Sequence, residues 1–173
     1  EPDSVISPFL REWKRHRLII GGATLVYANA SLFIPMVRGQ TNEDFRAYTD
    51  RVTFYPAAQA THSGLIGLLF RKPATIKAPN AARDVMNTIT RDGFPVEHLA
   101  RKVASELLTT NYCALVTDYP IAPAGLTKAK AIDLGIRPYV SFYPAESILG
   151  VPETATVNNR QRVVRVRLLD DEN

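Results

Sequence analysis

The sequence predicts an α+β fold, and two observations carry the prediction. Capping residues and apolar residues at helical spacing recur from residue 7 to residue 110. Short β-rich runs then follow at 112–119, 137–143 and 162–169, with one short helical stretch between the first two. Helices followed by a small mixed sheet is the expected order.

The elements follow in turn. Ser7-Pro8 reads as a helix start, with Ser7 as N-cap and Pro8 in the first turn. That helix carries Phe9, Leu10 and Trp13 beside a basic cluster of Arg11, Lys14, Arg15 and Arg17. Leu18 to Val37 then holds no charge for twenty residues. The length fits a bilayer span. Gly21, Gly22, Asn29 and Pro35 make it a poor one, and two short extended segments, Thr24–Tyr27 and Ser31–Ile34 around a turn at Asn29, are expected instead. No secretory signal accompanies the sequon Asn29-Ala30-Ser31.

Thr41-Asn42-Glu43-Asp44 is a capping-box start. Phe45, Tyr48, Val52 and Tyr55 follow at helical spacing. Pro56 opens the next helix, Ala57 to Phe70, whose small residues suit close packing. Pro73 ends it, since the residue before a proline disfavours helix. Asn80 is expected to cap a helix with Ala82, Val85, Met86 and Ile89 on one face, stopped at Gly93. Pro95 starts another, with Val96, Leu99, Ala100, Val103 and Leu107 inward, ended at Asn111.

The β-rich half begins with Tyr112–Tyr119, a buried strand ending at Pro120. A Pro/Gly loop runs from Ile121 to Leu126, and Thr127 caps a short helix that Gly135 stops. Arg137–Tyr143 is the second strand, Pro144–Gly150 a turn or short helix, and Arg162–Leu169 the third strand. On the third, Arg165 and Arg167 are expected on one face with Val164, Val166 and Leu168 opposite, and Arg162 on the other parity from Arg165. The chain starts at Glu1 and stops just after this run, which predicts a piece of a longer protein.

Composition narrows the function. The 173 residues are 46% apolar and 22% charged, ordinary for a globular chain. The single cysteine, Cys113, excludes a disulfide framework, and its apolar strand marks it as a core thiol. A net charge of +4 permits contact with nucleic acid. No Walker loop or dinucleotide fingerprint is present. His16, His62 and His98 lack metal-ligand spacing, and no serine sits in a nucleophile elbow. Asp118, at a strand end, is the best single carboxylate, and capping the loop before Pro120 is its expected role. No catalytic, metal or cofactor residue is assigned. The arginines of the third strand suit phosphates or, the preferred reading, acidic residues of a neighbouring strand or subunit.

The whole series resembles the portal proteins of tailed bacteriophages. Trp13, Gly22 and Phe33-Ile34-Pro35 carry the start of the resemblance, and Glu43, Tyr48 and Arg51 continue it. Its most telling segment is Thr61-x-x-Gly64-Leu65-x-Gly67-x-x-Phe70-Arg71-Lys72-Pro73. Gly93, Glu106, Val116-x-Asp118-x-Pro120, Arg137-Pro138-Tyr139 and Tyr143-x-x-Glu146-x-Ile148 follow in order. The match covers most of 13–169, with departures at Asn111 and Leu149-Gly150 that mark a divergent member.

The resemblance implies a wing portion, with stem, channel loop and crown beyond Asn173. It implies a subunit of a ring, usually a dodecamer, at one capsid vertex of the virion. The ring is the conduit for double-stranded DNA. It meets the major capsid protein, connector or adaptor and tail proteins, and the terminase during packaging. It has no catalytic residues, no cofactor and no membrane. Arg71, Lys72, Arg160, Arg162, Arg165 and Arg167 are the candidate subunit or phosphate contacts. The alternative is a stand-alone basic nucleic-acid-binding domain.

Overall fold

The computed structural model describes residues 2–121, 125, 127, 130–131, 134–157 and 159–169, without the side chains of 80, 81, 84 and 157. Among these residues seven α-helices precede four β-strands. The α+β order therefore holds. In place of one mixed sheet, two separate antiparallel ribbons form, β1 (Cys113–Asp118) with β2 (Tyr139–Pro144) and β3 (Glu153–Val157) with β4 (Arg160–Arg165). Among the described residues, parallel pairing is confined to an isolated bridge between Thr90 and Val140. The expected third strand does not join the first ribbon because it has a local partner: β3 lies just across the turn at Asn159, whose φ of +59° suits a tight hairpin.

Helix α1 (Ser7–Ile20) begins one residue earlier than expected. Ile6 is its N-cap and Ser7 makes no capping bond. Asp3 organises the entry instead: its carbonyl accepts from the Ile6 and Ser7 N–H groups and its carboxylate from the Val5 N–H. Trp13 faces inward, 5% exposed, and stacks on Phe9 and on Tyr112 with ring centres 6.0 and 5.9 Å away. Ile6, Trp13 and Ala145 form the central core, with Leu10 and Tyr112 against it.

The uncharged run folds differently from the expectation. Thr24–Tyr27 and Ser31–Ile34 are not extended; helices α2 (Ala23–Ala28) and α3 (Ala30–Phe33) occupy them. Among the described residues no strand pairs with this segment, and a helical turn satisfies its own backbone groups. Gly22, at φ +97°, makes the bend between α1 and α2, where a Cβ would meet the Gln59 amide at 2.8 Å. No helix among the described residues is long and apolar enough to cross a membrane.

Helix α4 (Asn42–Thr49) has the expected capping box: Thr41 Oγ1 accepts from the Asp44 N–H, and the Asp44 carboxylate accepts from the Thr41 N–H. It ends before Val52 and Tyr55, so the expected apolar face is cut short, and Tyr55 is 81% exposed. Helix α5 (Ala57–Leu69) turns Gln59, His62 and Ile66 partly inward. Its small residues do not pack within the chain: Gly64 and Gly67 face open space. Helix α6 (Asn80–Asn87) has Pro79, not Asn80, at its N-cap, and it stops before Ile89. Ile89 instead accepts the Val140 N–H through its carbonyl. Gly93 (φ +82°) belongs to the Thr90–Phe94 turn beyond that helix.

Helix α7 (Val96–Thr110) buries Leu99, Glu106 and Thr110, while Ala100 and Leu107 face outward against expectation. Asn111, at φ +58°, ends it. The loop expected at 121–126 and the helix expected from Thr127 lie largely outside the described residues; at its start Thr127 Oγ1 accepts from the Lys130 N–H. Beyond β2, a single 3-10 turn at Ala145–Ser147 matches the expected short helix. After β4, Leu169 N–H donates to Ser147 and Leu149 N–H to Arg167, which ties the end of the described chain to the core.

Candidate functional site

Three titratable groups meet where α1, α7 and the 3-10 turn converge. Arg17 donates to both oxygens of Glu146, at 2.6 and 2.5 Å, and to both oxygens of Glu106, at 2.6 and 3.1 Å. The Glu106 side chain is 8% exposed. It also accepts from Thr110 Oγ1 and the Ala145 N–H, both at 3.0 Å. The hydrogen bonds Arg17 donates to Glu146, then those it donates to Glu106, hold its guanidinium above its already high range against the cost of burial. Burial pushes the Glu146 carboxyl up, but the bond from Arg17, its own backbone N–H and the charge of Arg17 outweigh that, leaving it below the usual range. A cation spent on one buried and one half-buried carboxylate is a clasp between elements. The basic cluster expected on α1 thus loses Arg17, and Arg15 pairs with Glu12 and covers Phe33.

Asp118 is exposed, as are Leu115 and Thr117, so the strand is not the buried one expected. The carboxylate accepts from the Tyr119 N–H at 2.7 Å, which is the expected loop cap. It also accepts from the Tyr139 hydroxyl at 3.1 Å, a partner the sequence does not reveal. That bond, with partial desolvation and the charge of Asp118, raises the Tyr139 phenol above its usual range. Cys113 is half-buried, and desolvation followed by the charge of Glu106 raises its thiol, which makes it a poor nucleophile.

His62 lies 3.2 Å from both the carbonyl and the hydroxyl of Ser105, across the α5–α7 contact. Thr109 Oγ1 also lies 3.4 Å from His62 Nε2 and donates to the Ser105 carbonyl at 2.8 Å. These contacts pin α5 to α7. His98 stacks on Phe94 with ring centres 4.5 Å apart. No group of three or more metal-ligating side chains occurs among the described residues.

The six candidate basic residues separate into three groups. Arg71 and Lys72 are exposed at the exit of α5, where Lys72 lines a 380 Å³ cleft with Phe70, Ile76 and Arg101. Arg167 lies beyond β4, within 3.5 Å of the Asp3 carboxylate, and its guanidinium fills the space a Cβ on Gly150 would need. It does not share a strand face with Arg165. Arg160, Arg162 and Arg165 remain, and the register unites them. Arg160 pairs with Val157, Arg162 with Ala155 and Arg165 with Glu153. Residues 153, 155 and 157 alternate along one strand and share a face, so their three partners share it too. Val164 is the extra residue, a bulge between the pairs Thr154–Val163 and Glu153–Arg165. The bulge cancels the parity that had separated Arg162 from Arg165. Glu153 and Arg165 approach to 3.5 Å on that face.

No protein-family model matches the chain, and no curated protein matches it in sequence.

Proposed function

We propose that this chain is the wing portion of a portal subunit, a structural member of the ring through which a tailed-bacteriophage genome enters and leaves its capsid. The amount of uncovered surface carries the reading. The chain exposes 12,927 Å². A compact monomer of 19.2 kDa exposes about 8,400 Å². The difference exceeds two standard interfaces of about 800 Å² per partner. A ring subunit has two neighbours and presents a different face to each.

The uncovered surface also has the right character. Leu65, Leu68 and Leu69 of α5 are 42%, 67% and 62% exposed. Residues 57–69 carry no Lys, Arg, Asp or Glu, and Gly64 and Gly67 leave room for a neighbour's backbone to approach. The segment that most resembles the portal family, Thr61–Pro73, is this helix and its exit. In this reading the chain is no enzyme and takes no cofactor. Its partners are its own copies, the major capsid protein, connector and tail proteins, the terminase and double-stranded DNA, and its place is the virion.

Electron microscopy and mass measurement of the full-length protein test the reading. A closed ring, dodecameric in the family pattern, is expected. A strictly monomeric full-length protein overturns it.

A further inference from the structure

The β3–β4 hairpin stands apart from the core. Every β4 residue is exposed, with Val163 and Val164 at 58% and 56%. A two-stranded ribbon with both faces in water is marginal by itself. Its two faces differ. One carries Arg160, Arg162 and Arg165 with Glu153 and Ala155; the other carries Thr154, Thr156, Gln161 and Val163 without a charge. We infer that this hairpin is a DNA-contact arm, whose arginine face lies along the phosphate backbone of a double helix.

Charge and shape select the occupant. Three guanidiniums oppose one carboxylate on the face, and arginine stays charged at any working pH. A second copy of the chain also has net charge +4, so as a whole it repels this face; a polyanion does not. The partners Val157, Ala155 and Glu153 are two residues apart, so Arg160, Arg162 and Arg165 recur about every 6.7 Å along the face, a linear array suited to a linear series of phosphates. A two-stranded ribbon also fits the width of a DNA major groove. Contacts along the phosphate backbone carry no sequence information, so binding is expected to be independent of sequence. The inference goes beyond ring assembly and does not require it. A monomer that binds DNA through the hairpin overturns the ring alone, and a ring indifferent to the hairpin overturns the arm alone.

The test is fluorescence anisotropy of a labelled mixed-sequence duplex of about 30 base pairs, titrated with the 173-residue chain between about 50 and 200 mM salt. Three phosphate contacts predict a loss of affinity of about 40-fold across that range. The triple variant Arg160→Gln, Arg162→Gln, Arg165→Gln is expected to bind at least tenfold more weakly at about 100 mM salt and to flatten the salt slope by about 0.9 per arginine. A control that removes the same charge from exposed positions elsewhere, Arg38→Gln, Arg46→Gln, Arg83→Gln, is expected to keep the slope. Deletion of Val164 removes the bulge but keeps every charge and leaves Arg165 two residues after Arg162 on the same face, so it is expected to keep binding. Circular dichroism verifies that each variant is folded. Equal losses in the two triples, no loss in either, or no binding by the unaltered chain at low salt overturns the inference. Loss of self-association with DNA binding intact also overturns it and gives the arginine face to a second copy.

Discussion

Arg17 reaches across 89 residues of sequence to hold the buried carboxylate of Glu106 with two hydrogen bonds, at 2.6 and 3.1 Å. The same guanidinium takes Glu146 from the other side. Removing the cation leaves two carboxylates facing each other, one of them with an 8% exposed side chain. Arg17→Met is expected to cost about 2–4 kcal/mol, below the full penalty for breaking a buried pair because Arg17 and Glu146 are each more than a third exposed. Glu146→Gln is expected to cost less, since Glu106 keeps its cation. Urea unfolding of the two variants checks the order; an Arg17→Met chain as stable as the parent refutes the clasp.

The clasp has a pH signature. Glu146 titrates below its unfolded value, so the unfolded chain binds its proton first as pH falls. The stability this group supplies is complete above the unfolded carboxylate value, about 4.3, and drains away as pH drops through the lower folded value. Asp44, lowered by the Thr41 hydroxyl and then by the Thr41 N–H, acts in the same direction. Urea midpoints at successive pH values below neutrality are expected to hold steady and then fall. Glu146→Gln flattens part of that fall.

Trp13 is the single tryptophan, nearly buried, between Phe9 and Tyr112. Trp13→Ala is expected to cost about 3–5 kcal/mol through lost burial and the cavity left behind. Circular dichroism reads the loss, since the variant has no indole fluorescence. In the parent chain the indole emission reports directly on this core.

Gly64 and Gly67 meet nothing when a Cβ is added. Alanine at each is expected to stabilise the isolated chain by about 0.5–1 kcal/mol, by favouring helix and restricting the unfolded state. If a neighbouring subunit approaches α5 closely, the same substitutions weaken ring formation. Thermal melts of the chain and particle counts of the full-length ring are therefore expected to move in opposite directions.

Local signals in the sequence explain most of the helical half. Thr41 and Asp44 announce α4 because a capping box is a contact between neighbours in sequence. Thr24–Tyr27 misleads because β-branched and aromatic residues favour a strand only where another strand pairs with them, and among the described residues none does. Glu106 and Thr110 occupy inward positions that apolar periodicity assigns to no polar residue; Glu106 finds its partners in α1 and the 3-10 turn, and Thr110 bonds Glu106 within α7. The arginine face escapes counting by twos because the bulge at Val164 adds one residue to one strand. Strand β3 had a readable signal, Thr154, Thr156 and Val157 before an Asn-Asn turn, that propensity alone left unassigned.

The attachment of α1 also sets an order of events on the ribosome. Its anchors arrive late: Arg17 waits for Glu146, 129 residues downstream, and Asp3 waits for Leu149 and Arg167. At ordinary rates of synthesis that interval is about 10 s. Helix α1 can therefore dock first on Glu106 of α7 and on Tyr112 beyond it, and its two-carboxylate clasp and the Asp3 contacts close only after β2 and β4 have been made.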